Sequence, residues 1–141
     1  MPLVVTEAGS IKLLYWAIKA ALAVDAPLTL GLFVNDYQPT KQTVYSDFTQ
    51  PSFAAYWEQP ILRANWEDRT IVAGRASSDY GSVPFEWTNG GASATVYGYF
   101  VRLPAPATVL WAERFNVPRV MTTGKKLLVQ LRLTSVTEFL A

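Results

Sequence analysis

The side chains that could carry chemistry in this sequence are mainly carboxylates, because its 141 residues include no His and no Cys. Those absences remove imidazole catalysis, thiolate nucleophiles, disulfides and nearly all zinc, copper or haem ligation. A glycosidase would need two carboxylates with different pKa values across a cleft. Glu86 beside Trp87 could form half of such a site, but the two residues face opposite sides of a predicted strand and a small sandwich rarely offers a deep cleft, so we expect a noncatalytic protein. The carboxylates that could act as general acids or bases are Glu58, Glu67, Asp68, Glu86 and Glu113.

Oxygen ligands for calcium are the other chemistry that the carboxylates permit. The candidates Asp36, Asp47, Asp68 and Asp79 are well separated, and none stands in the dense Asp, Asn and Gly spacing of a calcium loop. We interpret them as solvated turn residues. The sequence therefore predicts no metal and no cofactor.

Aromatic side chains are the more conspicuous resource, at 13% of the chain against only 16% charged residues. Trp57, Trp66, Trp87 and Trp111 could form a platform on which sugars stack. Trp87 and Trp111 lie in the middle of predicted strands, where a core position is expected. Trp57 lies in an irregular segment, where an aromatic side chain either pins its own loop or anchors a partner.

One amphipathic helix is predicted near the N-terminus, over residues 10–24. Apolar residues recur there at helical spacing, Ser10 can cap the first turn, and Pro27 follows the end. Trp16 lies off the main apolar stripe. The helix therefore either covers one end of the domain or docks through Trp16 on a neighbouring subunit.

From Leu28 the apolar residues recur at every second position instead of at helical spacing. The segment from Leu28 to Val34 is therefore predicted to be a half-buried strand. Residues 37–57, which we term the aromatic loop, have no steady period, apart from a short strand around Val44 and Tyr45. Loops of this length are usually functional or held by their own side chains. The candidate partner-binding residues are Trp16 and the loop aromatics Tyr37, Tyr45, Phe48, Phe53, Tyr56 and Trp57.

The second half of the chain reads as successive antiparallel strands. Roughly seven to nine short strands, spaced about 8–12 residues apart, predict an antiparallel β-sandwich or jelly-roll-like fold over residues 28–134. Together with the N-terminal helix, these strands form one predicted domain over residues 1–141. The predicted strands are 61–66, 70–74, 83–88, 93–103, 108–115 and 127–134, with a hairpin turn at 67–69, a loop at 76–82, a tight turn at Asn89-Gly90-Gly91, and turns at 116–118 and 122–124.

Charge and hydropathy exclude several classes of partner. The formal net charge is +1, and Lys125-Lys126 is the only adjacent basic pair, so no basic stripe predicts nucleic-acid binding. The apolar stretch from Ala20 to Val34 is interrupted by Asp25 and Pro27, which predicts no membrane-spanning helix. The N-terminus lacks the pattern of a secretory signal, so we expect folding in a cytoplasm.

Two stretches together resemble small structural proteins of tailed bacteriophages. The first is Leu30 to Pro39, continued by Thr43 to Thr49 and then by Phe53 and Tyr56. The second is Val96 to Val101, Leu110 to Phe115 and Gly124 before the last strand. The resemblance spans residues 28 to 134, and Ala54-Ala55 stands where that pattern has a glycine.

The resemblance implies a virion protein, and the first expectation is a capsid decoration or cement protein assembled in the host bacterial cytoplasm. Its partners would be further copies of itself, in a homo-oligomer such as a trimer, and the major capsid protein or another virion protein. A tail or head-fibre base protein is the alternative within that class. A carbohydrate-binding sandwich using Trp57 is a separate alternative, and a carboxylate enzyme centred on Glu86 or Glu113 ranks last.

Overall fold

A computed structural model describes residues 4–6, 28–53, 55–61, 70–72, 75–87, 93–104 and 106–134. The predicted helix at residues 10–24, with Trp16, lies outside these residues, as do the tight turn at Asn89-Gly90-Gly91 and the hairpin turn at 67–69. Within the described residues the fold is mainly β, with eight strands and a single short 3₁₀ turn at Tyr45–Asp47. The strands are β1 Val4–Val5, β2 Leu28–Phe33, β3 Gln59–Ile61, β4 Thr70–Val72, β5 Arg75–Glu86, β6 Ala94–Pro104, β7 Ala107–Met121 and β8 Lys126–Thr134.

The strands form two antiparallel sheets. The first sheet has five strands in the order β1-β7-β6-β2-β3, and the second has three in the order β4-β5-β8. The longest pairings join β6 to β7 and β5 to β8. The chain passes from the first sheet to the second between β7 and β8, through the turn at 122–124 predicted from the sequence, where the amide of Lys125 donates to the carbonyl of Thr122.

One hydrophobic cluster draws side chains from both sheets. Leu30 and Trp111 from the first sheet, Leu131 from the second and Trp87, directly after β5, are each at most 2% exposed and belong to it. The expectation that Trp87 and Trp111 occupy the core is therefore confirmed. Glu86 is exposed beside buried Trp87, as the alternation along that strand predicts.

Two segments predicted to be irregular lie in long strands. Residues 76–82, with their small polar side chains, were expected to loop, but they belong to β5 and pair with β4 and β8. Ala76 and Ser77 pair with β4, and the segment from Ser77 to Ser82 pairs with β8, so backbone pairing outweighs the weak strand propensity of these residues. The strand keeps one irregularity at Gly81, whose φ of 95° suits a bulge, because the register with β8 shifts between Asp79 and Gly81.

The turn predicted at residues 116–118 is also part of a strand, because β7 continues to Met121. The register between β6 and β7 is interrupted at this point. Val96 pairs with Arg119 and Gly98 with Arg114, so the four residues 115–118 of β7 lie opposite one residue of β6. The turn-forming residues therefore produce an irregularity inside the strand. The short strand expected around Val44 and Tyr45 is wrong as well, since Tyr45 begins the 3₁₀ turn.

Candidate functional site

The aromatic loop lies against the outer face of the first sheet, where β2 and β6 pair Phe33 with Gly98 and Gly31 with Phe100. A Cβ atom at Gly31 would overlap the ring of Phe100, and one at Gly98 would overlap the ring of Phe33 and the carbonyl oxygen of Glu113. Each glycine therefore leaves the space in which the phenylalanine opposite lies. The result is an aromatic surface on the sheet, formed by Phe33 and Phe100.

Phe48 closes this surface from the loop side. Its ring stacks on Phe100 with centroids 4.7 Å apart and lies 4.9 Å from Phe33. Tyr37 packs edge-on against Phe48 at 5.6 Å, and Tyr45 packs edge-on against Phe100 at 5.7 Å. These offset and edge-to-face contacts are the favourable geometries for aromatic pairs. The loop thus covers a strand face that the sequence alone predicts to be half-buried.

Hydrogen bonds fix the backbone of the loop around this stack. The amide of Val34 donates to the carbonyl of Thr49 at 2.7 Å. The side chain of Asn35 spans the same gap, donating to the carbonyl of Asp47 at 2.9 Å and accepting from the amide of Thr49 at 2.8 Å. The carboxylate of Asp47 accepts from the amide of Val44 at 2.9 Å. Asp47 is therefore a turn residue, as its sequence context predicts.

A cluster of polar side chains centred on Glu58 holds the far end of the loop. Arg102 makes a two-point ion pair with the carboxylate, through Nε to Oε1 at 2.7 Å and Nη2 to Oε2 at 2.9 Å. Thr29 donates to Oε1 at 3.1 Å, and the hydroxyl of Tyr45 donates to Oε2 at 2.9 Å. Gln50 donates to the Tyr45 hydroxyl at 2.6 Å. We term these five residues the Glu58 cluster.

The electrostatics of the Glu58 cluster stabilise its charged state. Burial raises the pKa of Glu58, but hydrogen bonds from Arg102 and Tyr45 outweigh burial, so the net pKa is lowered. The hydrogen bond to Glu58 likewise raises the pKa of Arg102. Burial and the hydrogen bond to Glu58 raise the pKa of Tyr45. A lowered carboxyl pKa gives a permanent anion at neutral pH, which suits an ion pair and does not suit a general acid.

The inner side of the loop reaches the second sheet through two aromatic residues. Phe53 packs on Trp87 with ring centroids 3.6 Å apart, and Tyr56 stacks on Phe85 at 6.1 Å. The Tyr56 hydroxyl accepts from the amide of Leu32 at 3.0 Å and donates to Gln50 at 2.6 Å. Burial is the main cause that raises the pKa of Tyr56 well above its ordinary range.

Arg114 ties the start of the loop to β7. Its guanidinium forms an ion pair with Asp36, donates to the carbonyl of Tyr37 at 3.2 Å and lies 5.0 Å from the centre of the Tyr97 ring. Asp36 is exposed on its other side, so this pair adds little stability by itself. Its main effect is to hold the loop backbone in place.

The predicted partner-binding residues differ in how exposed their side chains are. Phe48 and Phe53 are buried within the chain, at 9% and 7% exposure. Tyr37, Tyr45 and Tyr56 are half-buried, and Trp16 lies outside the described residues. Trp57 is 60% exposed.

Two features of the loop surface were not predicted. Val44 is 54% exposed, although a strand position was expected for it. Arg102 is the partner that makes the Glu58 cluster possible, and nothing in the sequence pairs residues so far apart. The pairing of β2 with β6, which places Arg102 directly opposite Thr29, brings it to the cluster.

Of the remaining carboxylate candidates, Glu86 and Glu113 each contact a neighbouring side chain, and Glu67 and Asp68 lie outside the described residues. Glu86 is 3.3 Å from the ammonium of Lys126, and Glu113 accepts from the hydroxyl of Tyr99 at 2.9 Å. Burial and the charge of Glu113 raise the pKa of Tyr99 well above its ordinary range. Glu86 and Glu113 lie on different sheets. Among the residues that the structure describes, no group of three or more acidic side chains is placed to hold a metal ion.

Comparisons with known proteins add no relationship. No protein-family model matches the sequence, and no curated protein is significantly similar to it. In the described part of the chain, no helix is long and apolar enough to cross a membrane.

Proposed function

We propose that this chain is a noncatalytic structural protein of a bacteriophage virion, of the capsid decoration or cement type, and that it contacts its partner through the exposed edge of the aromatic loop. The observation that carries the proposal is that some aromatic side chains of that loop are buried against the sheets while another is exposed. Phe48 and Phe53 hold the loop on the sheets, while Trp57 stands 60% exposed next to the Glu58 cluster.

Rigid presentation of Trp57 favours a role in binding. Glu58, the residue that follows it, is held by four different side chains. Ordering a loop before binding removes part of the entropy cost of association. Tryptophan in such a position is a frequent energetic anchor of protein interfaces.

The polar groups of the site favour a structural role over catalysis. Glu58, Arg102 and Tyr45 satisfy one another, and the lowered pKa of Glu58 keeps it ionised. A decoration protein needs no reaction; it needs a stable scaffold and contacts that repeat over a lattice, where many weak contacts give high avidity. The bacteriophage assignment itself rests on the sequence resemblance over residues 28 to 134.

For the fold, we infer that the two sheets face each other as an antiparallel β-sandwich. The shared hydrophobic cluster supports this arrangement, since packed sheets bury the side chains between them. The helix predicted at residues 10–24 would cover one end of the sandwich. The proposal places the protein in the virion after assembly in the host cytoplasm, as homo-oligomers on the major capsid protein.

The test is incorporation into particles of a phage that carries the gene. Wild-type protein should co-purify with heads, and its copy number should match a lattice position; a few copies located at the tail would instead select the tail or fibre-base alternative. Trp57→Ala should reduce incorporation at least about tenfold, as expected for loss of an interface anchor. Val117→Ala is the control, because Val117 is also a largely exposed apolar side chain, at 67%, but belongs to β7 and not to the loop. Equal incorporation of both variants would reject the Trp57 contact.

A carbohydrate-binding module is the second candidate, and the same exposed indole favours it. The face of an exposed tryptophan can stack on a pyranose ring, and the neighbouring Glu58 cluster adds polar groups. Glycan-array binding by the wild type that is lost in Trp57→Ala, together with no attachment to particles, would select this function.

A further inference from the structure

The outer face of the second sheet carries an exposed patch formed by three cross-strand pairs. The register of β5 and β8 places Ser82 opposite Gln130, Pro84 opposite Leu128, and Glu86 opposite Lys126. Residues directly opposite in an antiparallel pair share a face, and alternate residues along a strand do so too. All six side chains are exposed, including Leu128 at 57%, while the intervening Val83, Phe85 and Val129 are buried on the other face.

This patch, which we term the second-sheet face, has the composition of a contact surface. An apolar pair, Pro84 and Leu128, lies at its centre. Uncharged polar residues border it at one end and the ion pair between Glu86 and Lys126 at the other. An apolar centre with a polar rim is the usual anatomy of a protein interface.

We propose that the second-sheet face is a two-fold contact between copies of this chain. The argument is charge complementarity. Glu86 and Lys126 stand side by side on adjacent strands. A two-fold axis parallel to the strands and between β5 and β8 exchanges the positions of the two strands. It therefore sets Lys126 of each copy over Glu86 of the other.

The same axis matches the rest of the patch. Leu128 of one copy lies over Pro84 of the other, and Gln130 lies over Ser82. A two-fold axis perpendicular to the strands would set Glu86 over Ser82 and leave the charges unmatched. Isologous contacts require a self-complementary patch of this kind. The exposed ion pair adds little to folding, so both side chains are available to a second copy.

The size of the patch determines the expected strength. Five residues of extended chain span about 17 Å, and two strands with their side chains cover about 10 Å. That contact is well below the ~800 Å² per partner of stable complexes. We therefore expect a weak dimer that forms at a protein concentration of about 100 μM and dissociates at about 1 μM. The contact involves different residues from the proposed Trp57 surface, so either proposal can fail without the other.

Charge reversal tests the contact by sedimentation velocity. Glu86→Lys leaves only cations at the two matched positions, and Lys126→Glu leaves only anions, so each variant alone should dimerise at least about tenfold more weakly than wild type. An equimolar mixture of the two variants should recover the dimer, because both contacts between unlike copies are then attractive. The double variant Glu86→Lys with Lys126→Glu should dimerise like wild type.

Lys125→Glu is the control for Lys126→Glu, because it makes the same charge change in the turn beside the patch. It should not alter the dimer. Unchanged near-ultraviolet circular dichroism will show that each variant is folded. A wild-type protein that stays monomeric at both concentrations overturns the proposal. Single variants that dimerise as well as wild type overturn it too, because the dimer then uses another surface.

Discussion

Truncating Phe48 to alanine should detach the aromatic loop while leaving the two sheets folded. The Phe48 ring lies within 5 Å of the ring centres of Phe33 and Phe100 and is only 9% exposed. Phe→Ala at fully buried sites costs about 3–5 kcal/mol. Phe48 belongs to a loop that can partly collapse into the vacated space. We therefore expect about 3 kcal/mol, at the low end of that range.

A loss of this size is measurable without unfolding the protein. Domains are stable by roughly 5–15 kcal/mol, so Phe48→Ala should remain folded at 25 °C. For a domain of this length, the melting temperature should fall by about 10 °C. Urea unfolding monitored by circular dichroism gives the free energy of unfolding directly.

Hydrogen exchange locates the effect. The amide of Val34 donates across the base of the loop to Thr49, and the amides of Asp47 and Phe48 donate within the 3₁₀ turn. All three should lose protection in Phe48→Ala. Amides paired between β5 and β8 should keep theirs, apart from the change in global stability. Local loss with retained sheet protection is the signature of a detached loop.

Trp57→Ala is the matched control for this experiment. Trp57 belongs to the same loop but is 60% exposed, so its loss should change stability by no more than about 0.5 kcal/mol. The reasoning is refuted if Phe48→Ala costs less than about 1 kcal/mol with unchanged loop protection. It is equally refuted if Trp57→Ala is the more destabilising of the two. Phe48→Ala should also weaken particle attachment, because it disorders the segment that presents Trp57.

Three further outcomes follow from the same contacts. Gly98→Ala should destabilise the protein by about 3 kcal/mol or more in urea unfolding, because the added Cβ would overlap a backbone carbonyl. Gly124 has a φ of 88° and open space around it, so Gly124→Ala should cost only about 1 kcal/mol. Equal costs for the two variants would contradict the close approach at Gly98. The pKa of Glu58 is lowered in the folded protein, so its ionised form stabilises the fold above the unfolded pKa of 4.5, and this stability is lost as the pH falls through the folded pKa. The stability advantage of wild type over Glu58→Gln should therefore shrink on acidification below pH 4.5. A difference that stays constant with pH would contradict the ion pair. Arg102→Lys should be less stable than wild type by about 1–2 kcal/mol in the same assay, because lysine cannot donate at two points to the carboxylate, and a neutral change would contradict that geometry.

Local patterns predicted most of the strands correctly. The alternation from Leu28 onward marked β2, and the alternation after Gly124 marked β8, because each residue of a strand points to the face opposite its neighbour's. The same rule placed Trp87 and Trp111 in the core. These features depend on residues near one another in the chain.

The errors occurred where pairing overrides local preference. Residues 76–82 look like a loop because most of them are small and polar, but they pair with β8 from Ser77 onward and with β4 at Ala76 and Ser77. Residues 116–118 look like a turn, and the strand absorbs them as an irregularity. Neither partner strand can be recognised from the segment itself.

For the candidate site, the sequence by itself determined that aromatic residues concentrate between Tyr37 and Trp57 and that no histidine or cysteine chemistry accompanies them. Only the tertiary structure decided that Phe48 faces inward and Trp57 outward. Phe48 is buried because Gly31 and Gly98, on two separate strands, leave room for the rings on which it stacks. Alternation tells which way a side chain points, but burial depends on what the distant parts of the chain place over it.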